Sequence, residues 1–313
     1  MVKSSVMAAG LLVSICLAGN AGAGERDAHR EMVNQGTVGV LGGSLTGTYS
    51  RLVSDMANLF DNGYELRVLP IIGKGSIKGV EDLLFHRGID VALLQSDVLD
   101  FLVSKNVYPD LDDMLRYITV LYNEEVHLVA GNKISTIQDL EGKKVSFGPS
   151  TSGTFMTSSI LFRRLGVEVE ALDYSNQEGL ERLRQGDIDA MVRVAGAPTR
   201  LFEDITENDG LHIVPLPLID GAYLKATITH EQYPGLVQLG VPVQTLAVGA
   251  VMAAYNWPVQ HPRRNKIQGL VDQLKNRLPE LQKPPFHKKW QQVELKKKLP
   301  GWIRWQSTAS PRS

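Results

Sequence analysis

Gly42-Gly43-Ser44-Leu45-Thr46-Gly47-Thr48 and Gly148-Pro149-Ser150-Thr151-Ser152-Gly153-Thr154 lie 106 residues apart and share the pattern G-x-S-x-[ST]-G-T. Each follows a short apolar run, Thr37 to Leu41 and Lys144 to Phe147, and each precedes a segment with helical periodicity. Each therefore reads as strand, tight polar turn and helix N-terminus. Unpaired N–H groups and the positive end of the helix dipole favour anions there, glycine admits a ligand to the backbone, and hydroxyls add donors. A strand-to-helix turn uses the same residue types with no ligand at all, so one copy would mean little. Two copies at matched places predict two walls of one cleft.

Working outward, Tyr49, Leu52, Val53, Met56, Ala57 and Phe60 form an amphipathic helical stripe that Asn62-Gly63 ends. Glu65 to Ile72 reads as a strand, Ser76 as a helix cap before Ile77, Val80, Leu83 and Leu84, and Ile89 to Leu94 as a buried parallel strand. Gly186-Asp187-Ile188-Asp189-Ala190-Met191 repeats this last unit, its Ile-Asp pair standing 99 residues after Ile89-Asp90. The two spacings predict two copies of one α/β plan, with parallel sheets and ligands outside the carboxyl ends of the strands. Four segments follow: 1–23, a lobe over 24–122, a second over 123–217, and 218–313 returning to the first. The hinge is expected at Tyr122-Asn123-Glu124-Glu125. In the return segment Thr245 to Tyr255 is a long apolar run and Pro262 opens a helix.

Composition narrows the function. Residues 1–23 read as a secretory signal, with Lys3, an apolar Val6 to Ala18 and a small-residue site at Ala21-Gly22-Ala23. The sole cysteine, Cys16, falls inside that signal, so neither disulfides nor thiolate chemistry is expected in the mature chain. Thirty-three basic against 34 acidic residues give a net charge of −1, which argues against nucleic acid as a partner. The histidines form no pair at metal-ligand spacing, no G-x-S-x-G elbow occurs, and the lysine of a phosphate-binding loop is missing from both turns. Neither cofactor nor metal is expected, nor turnover. His287 to Trp305 interleaves lysines with Trp290, Trp302 and Trp305, which predicts a terminal helix whose tryptophans pack on a lobe, with membrane-surface contact as the alternative.

Arg193 stands near the end of an apolar strand, where a charge needs a partner. A ligand carboxylate, Asp187 or Asp189, or an edge position in water would each serve. Gln95 and Ser96 end the equivalent strand of the first copy and can hydrogen-bond a polar ligand, while Asp97 suits a helix cap. Tyr49 and Tyr122 either wall the cleft or belong to the core.

Together, Gly42 to Tyr49, Gly73 to Val80, Ile89 through Asp97, Val126 to Ala130, Leu140 through Thr154 and Gly186 through Pro198 resemble the TAXI-type solute receptors of TRAP transporters, themselves similar to type II periplasmic binding proteins. The resemblance implies a two-lobed α/β clamshell, each lobe a mainly parallel sheet flanked by helices, located in the periplasm. It implies capture of a small anionic solute, such as glutamate or a dicarboxylate, for delivery to TRAP membrane permease subunits. By position it implies that Gly43, Ser44, Thr48, Tyr49, Gln95, Ser96, Ser150, Ser152, Gly153 and Thr154 line the pocket. Arg193 stands where that family usually has an apolar residue, which implies a different or more anionic solute. A sensor subunit signalling to a membrane kinase is the competing reading, and an exported hydrolase using Ser44 or Ser152 ranks last.

Overall fold

The structure, a computed structural model, describes residues 24–307 apart from 25, 29–33, 35, 46, 64 and 220–222. The expected signal over 1–23, with Cys16, and Thr46 of the first turn lie outside the described residues.

The first copy supplies β1 (Thr37–Leu41), α1 (Thr48–Phe60), β2 (Arg67–Ile71), α2 (Ser76–Phe85), β3 (Val91–Gln95) and α3 (Val98–Ser104). After a single turn at Leu111–Met114 comes β4 (Leu115–Gly131). The second copy supplies β5 (Lys144–Ser146), α4 (Gly153–Leu165), β6 (Glu170–Leu172), α5 (Asn176–Gln185) and β7 (Ala190–Ala195). Then follow β8 (Leu211–Ile213), β9 (Leu224–Ile228), β10 (Val243–Tyr255) and α6 (Pro262–Leu281). The fold is α/β and two-lobed, and its strands run β2-β1-β3-β10-β4-β7-β5-β6, with β8 on β4 and β9 on β10.

The predicted repeat is visible in the order. β2-β1-β3 at one end and β6-β5-β7 at the other are parallel triplets. The two Ile-Asp pairs do the same job in each: Asp90 Oδ2 accepts the Gly39 N–H at 3.0 Å and Asp189 Oδ2 accepts the Lys144 N–H at 3.0 Å. The backbone N–H of each aspartate returns a bond to the carbonyl of the same residue, Gly39 or Lys144, at 2.9 Å. Each aspartate thus pins the start of its strand to the neighbouring parallel strand.

Between the triplets lie two long strands, the seventeen-residue β4 and the thirteen-residue β10, antiparallel to one another. The expected hinge residues, Tyr122 to Glu125, sit mid-strand in β4, and Asn123 to Glu125 pair with Ala247 to Gly249 of β10. β10 is buried from Thr245 through Ala254, as its unbroken apolar run requires of a strand covered on both faces. Its antiparallel course is a departure from the parallel expectation, since an apolar run carries no direction.

Burial explains the helices. Leu52, Val53, Met56 and Phe60 of α1 and Leu270, Val271 and Leu274 of α6 share a core with Val38, Val40 and Leu93; fully burying each such side chain contributes about 1.5–3 kcal/mol. Leu94, Leu99 and Leu102 pack in one cluster with Met156, Ile160 and Leu161, so α3 and α4 join the lobes along an apolar seam. Ile228, Tyr233, Leu236 and Val237, which follow the expected boundary at 217, pack instead with Leu180, Leu183 and Phe202.

Two local expectations are corrected. Gly75, not Ser76, holds the cap position of α2, at φ +116°, and Ser76 Oγ accepts the Gln95 N–H at 2.9 Å. His287 to Trp305 is not a helix but a 3-10 turn at Lys288–Gln292 followed by irregular chain that bridges to Tyr117 through Arg304. Pro300 and Gly301 interrupt any helical run there, while Trp290, Trp302 and Trp305 are buried as expected. Among the described residues no helix is long and apolar enough to cross a membrane.

Candidate functional site

Both repeated turns open onto one cavity of about 250 Å³. From the first copy come Gly43, Ser44, Gly47, Thr48 and Tyr49, then Gly73 to Ser76 and Gln95. From the second come Pro149, Ser152, Gly153, Thr154, Asn176 and Arg193 to Ala195, while β4 contributes Tyr122 and Glu124 to the floor. The cavity lies outside the carboxyl ends of β1, β3, β5 and β7, where the parallel plan places ligands.

The two helix ends differ in how they are held. Ser50 donates its hydroxyl proton to the carbonyls of Gly43 (2.9 Å) and Ser44 (2.8 Å), folding the first turn back over α1, whose cap position is Gly47 with no side-chain acceptor. At α4, Ser152 Oγ accepts the Phe155 N–H at 3.1 Å, and Thr154 Oγ1 accepts the Val194 N–H at 3.2 Å. Ser152 is therefore a true cap, and Thr154 ties α4 to β7 beside Arg193.

The lobes touch across the cavity. A Cβ added to Gly75 would fall 2.7 Å from the Thr151 carbonyl oxygen and 3.1 Å from Ser152 Cα, and one added to Gly153 would fall 1.3 Å from Gln95 Oε1. Behind this contact Thr157 donates to Asp97 Oδ2 at 2.7 Å and Tyr223 donates to the same oxygen at 3.3 Å. Burial pushes the Asp97 carboxyl up to about 6 against those two bonds. Asp97 holds the cap position of α3, as the sequence predicts, but its side chain makes no cap bond and bridges to Thr157 of α4.

Nine of the eleven expected residues line the cavity, and two do not. Gln95 and Ser96 are consecutive at a strand end and so face opposite sides: Ser96 Oγ accepts the Gly249 N–H at 3.0 Å within the sheet. Ser150 is exposed on the outside of its turn, with its N–H bonded to Asp173.

Glu124 was foreseen only as a hinge position. It accepts the hydroxyl protons of Tyr49 (2.7 Å, Oε2) and Tyr122 (3.2 Å, Oε1), whose rings meet edge to face at 6.1 Å. Burial drives its carboxyl up to about 7, opposed by the Tyr49 bond and the nearby Arg193. Arg193 has neither aspartate as partner: Asp187 is 3.8 Å from Arg182, and Asp189 holds the Lys144 N–H. Its Nε is buried without a hydrogen-bond acceptor, and burial lowers its pKa. Gln95 Oε1 and Asn176 Oδ1 are likewise buried without a donor. His127 supports Arg193 from behind, with Nδ1 3.0 Å from the Arg193 carbonyl and Nε2 2.9 Å from the Tyr233 hydroxyl. Burial pushes it down to about 4, so the ring is neutral, donating at Nδ1 and accepting at Nε2.

Both groups make stability depend on pH. Glu124 titrates near 4.5 ordinarily and near 7 in the fold, so between those values the folded protein holds a proton that the unfolded chain has lost, and stability falls as pH rises. His127 acts oppositely, adding stability as pH rises from about 4 to 6.5. Glu124→Gln isolates the first effect. Thermal unfolding at pH 5 and pH 8 should show the variant gaining on wild type with rising pH by about 2–3 kcal/mol, since each pH unit crossed between the two titration points is worth about 1.36 kcal/mol. A difference independent of pH would separate Glu124 from the titration.

Among the described residues no three His, Cys, Asp or Glu gather as metal ligands. A family model described as the NMT1-like family matches residues 40–257. Among solved structures, the substrate-binding protein of an amino acid ABC transporter is 14% identical, with 77% of this chain and 93% of that one covered and a TM-score of 0.48. An amino acid ABC transporter substrate-binding protein of Streptococcus pneumoniae, bound to L-arginine, is 13% identical over 79% of this chain and 92% of that one, with a TM-score of 0.45. A periplasmic sulfonate-binding protein of Methylobacillus flagellatus is 13% identical over 79% and 69%, with a TM-score of 0.46.

Proposed function

The chain belongs to the NMT1-like family, and from that premise we propose that it is a periplasmic solute receptor, exported by its N-terminal signal, that closes two lobes around a small anionic solute. We take 24–122 as the first lobe and 123 to about 243 as the second, with β4 and β10 as the two crossings and the remainder returning to the first. Glutamate or a dicarboxylate is the solute class, and a TRAP-type permease of the kind served by TAXI receptors is the partner.

One observation carries this reading: the two turn motifs and Arg193, whose buried Nε has no acceptor, border the same cavity. A ligand carboxylate there meets N–H groups and hydroxyls of both lobes at once, and contacts available only in the closed form are what shift the equilibrium toward closure. Ser44, Thr48, Tyr49 and Gln95 serve as one wall, Ser152, Gly153, Thr154 and Arg193 as the other. Glu124 is compatible with an anion because its raised pKa leaves it readily protonated, and a bound negative charge favours the protonated form further.

Native mass spectrometry of the protein purified from its own host tests the reading, followed by calorimetry with glutamate and 2-oxoglutarate. An intact acidic molecule in the cleft is expected, with a membrane permease co-purifying with the loaded form. A retained cation, or consumption of the bound compound, would overturn it.

A further inference from the structure

On the first lobe, away from the cleft, three arginines from distant parts of the chain border a second cavity of about 470 Å³: Arg116 at the start of β4, Arg264 in the first turn of α6, and Arg304 in the irregular C-terminal segment. Among the described residues none of the three has a carboxylate oxygen within 4.0 Å. They are anchored by backbone carbonyls instead. Arg116 donates to those of Asp112 (2.9 Å), Asp113 (3.1 Å) and Leu115 (2.7 Å). Arg264 donates to Trp257 and Gln306 at 2.8 Å each, and Arg304 to Leu295 at 2.6 Å and to Lys297. Carbonyls orient a guanidinium without neutralising it.

Arg264 is the most telling. It is 6% exposed, stacks on Trp305 at 4.3 Å, and its Nε is buried with no acceptor. Burial and the neighbouring Arg116 both lower its pKa, so the pair repel one another in a poorly solvated place. The first turn of α6 also carries Arg263 and Arg264 and no acid, the reverse of what the helix dipole favours. Arg263 lies 3.9 Å from Asp90, which leaves the other three uncompensated in a chain whose net charge is only −1.

We propose that this pocket binds a phosphoryl group, from free phosphate or from a lipid headgroup. Three guanidinium groups bordering one pocket, none of them neutralised by a carboxylate, suit a tetrahedral oxyanion carrying several acceptor oxygens better than a single planar carboxylate. At the mouth, Val259 is 58% exposed and Ile303 46% exposed beside Trp257, an apolar rim that suits either a phosphate ester or a headgroup with its chains alongside.

The test titrates inorganic phosphate into the protein by calorimetry and floats the protein with phosphatidylcholine vesicles, with and without phosphatidylglycerol. Wild type is compared with Arg116→Glu, with the milder Arg116→Gln as a second variant, and with the cleft variant Arg193→Ala. Arg116 is half-buried and braces only one turn, so its replacement leaves the core intact. Phosphate binding weakened at least about tenfold by Arg116→Glu and retained in Arg193→Ala identifies free phosphate as the source. Flotation that needs phosphatidylglycerol and is lost in Arg116→Glu, with no heat from phosphate, identifies the headgroup. Neither signal in wild type, a signal indifferent to Arg116, or one abolished by Arg193→Ala would overturn the proposal.

Discussion

Replacing Gly75 with alanine is expected to weaken solute binding by at least about a hundredfold, because the new methyl group acts twice on the same residue. Gly75 sits at φ +116° and ψ 174°, a region that is nearly glycine-only, so any side chain there carries about 1–3 kcal/mol of strain. The methyl also projects across the cleft to 2.7 Å from the Thr151 carbonyl and 3.1 Å from Ser152 Cα. Both are backbone atoms of the opposite lobe, which cannot rotate away, so the lobes must stay apart. Calorimetry reads the affinity and small-angle scattering the separation of the lobes. Gly269→Ala in α6, where nothing lies within 4 Å of the new atom, serves as the control, because alanine there favours the helix by about 0.8–1 kcal/mol. Undiminished affinity in Gly75→Ala would mean that the bound form does not need this contact.

Arg193→Ala should lose about 2–5 kcal/mol of binding free energy for an acidic solute, the cost of truncating one partner of a buried charged pair. Its effect on the ligand-free protein should run the other way. The guanidinium is buried with Nε lacking an acceptor, and burial already disfavours its charge, so its removal should leave the melting temperature unchanged or raise it. Affinity and stability thus move independently, a signature that a structural brace would not give. Arg193→Lys keeps the charge but not the fork and should fall between wild type and alanine. A lower melting temperature with intact affinity would assign Arg193 to the scaffold.

Much of the cleft was legible in the chain because repetition is visible without coordinates. The two turns predicted two helix ends on one cavity, and the two Ile-Asp pairs turned out to make the same pair of bonds to the neighbouring strand. What escaped depends on facing direction or distant assembly. Gln95 and Ser96 could not be separated until the strand end was oriented, since neighbours on a strand point oppositely. Glu124 becomes a site residue only when Tyr49 of α1 meets Tyr122 of β4 around its carboxylate, and no spacing in the sequence encodes that meeting. Asn176 reaches the cavity from the first turn of α5 with no motif to mark it. The antiparallel course of β4 and β10 was hidden for a related reason: their apolar runs report burial on two faces and nothing about polarity.

The place of β10 also governs how the molecule is built. It inserts between β3 and β4, and Trp290 and Trp305 complete the core beneath α1. The amino-terminal lobe therefore has no finished interior while the ribosome is still extending the carboxyl-terminal third, and its assembly must await segments remote in sequence, a high contact order that slows folding. During that interval the incomplete lobe leaves open the apolar faces of α1 and β3 that β10 and the two tryptophans later cover.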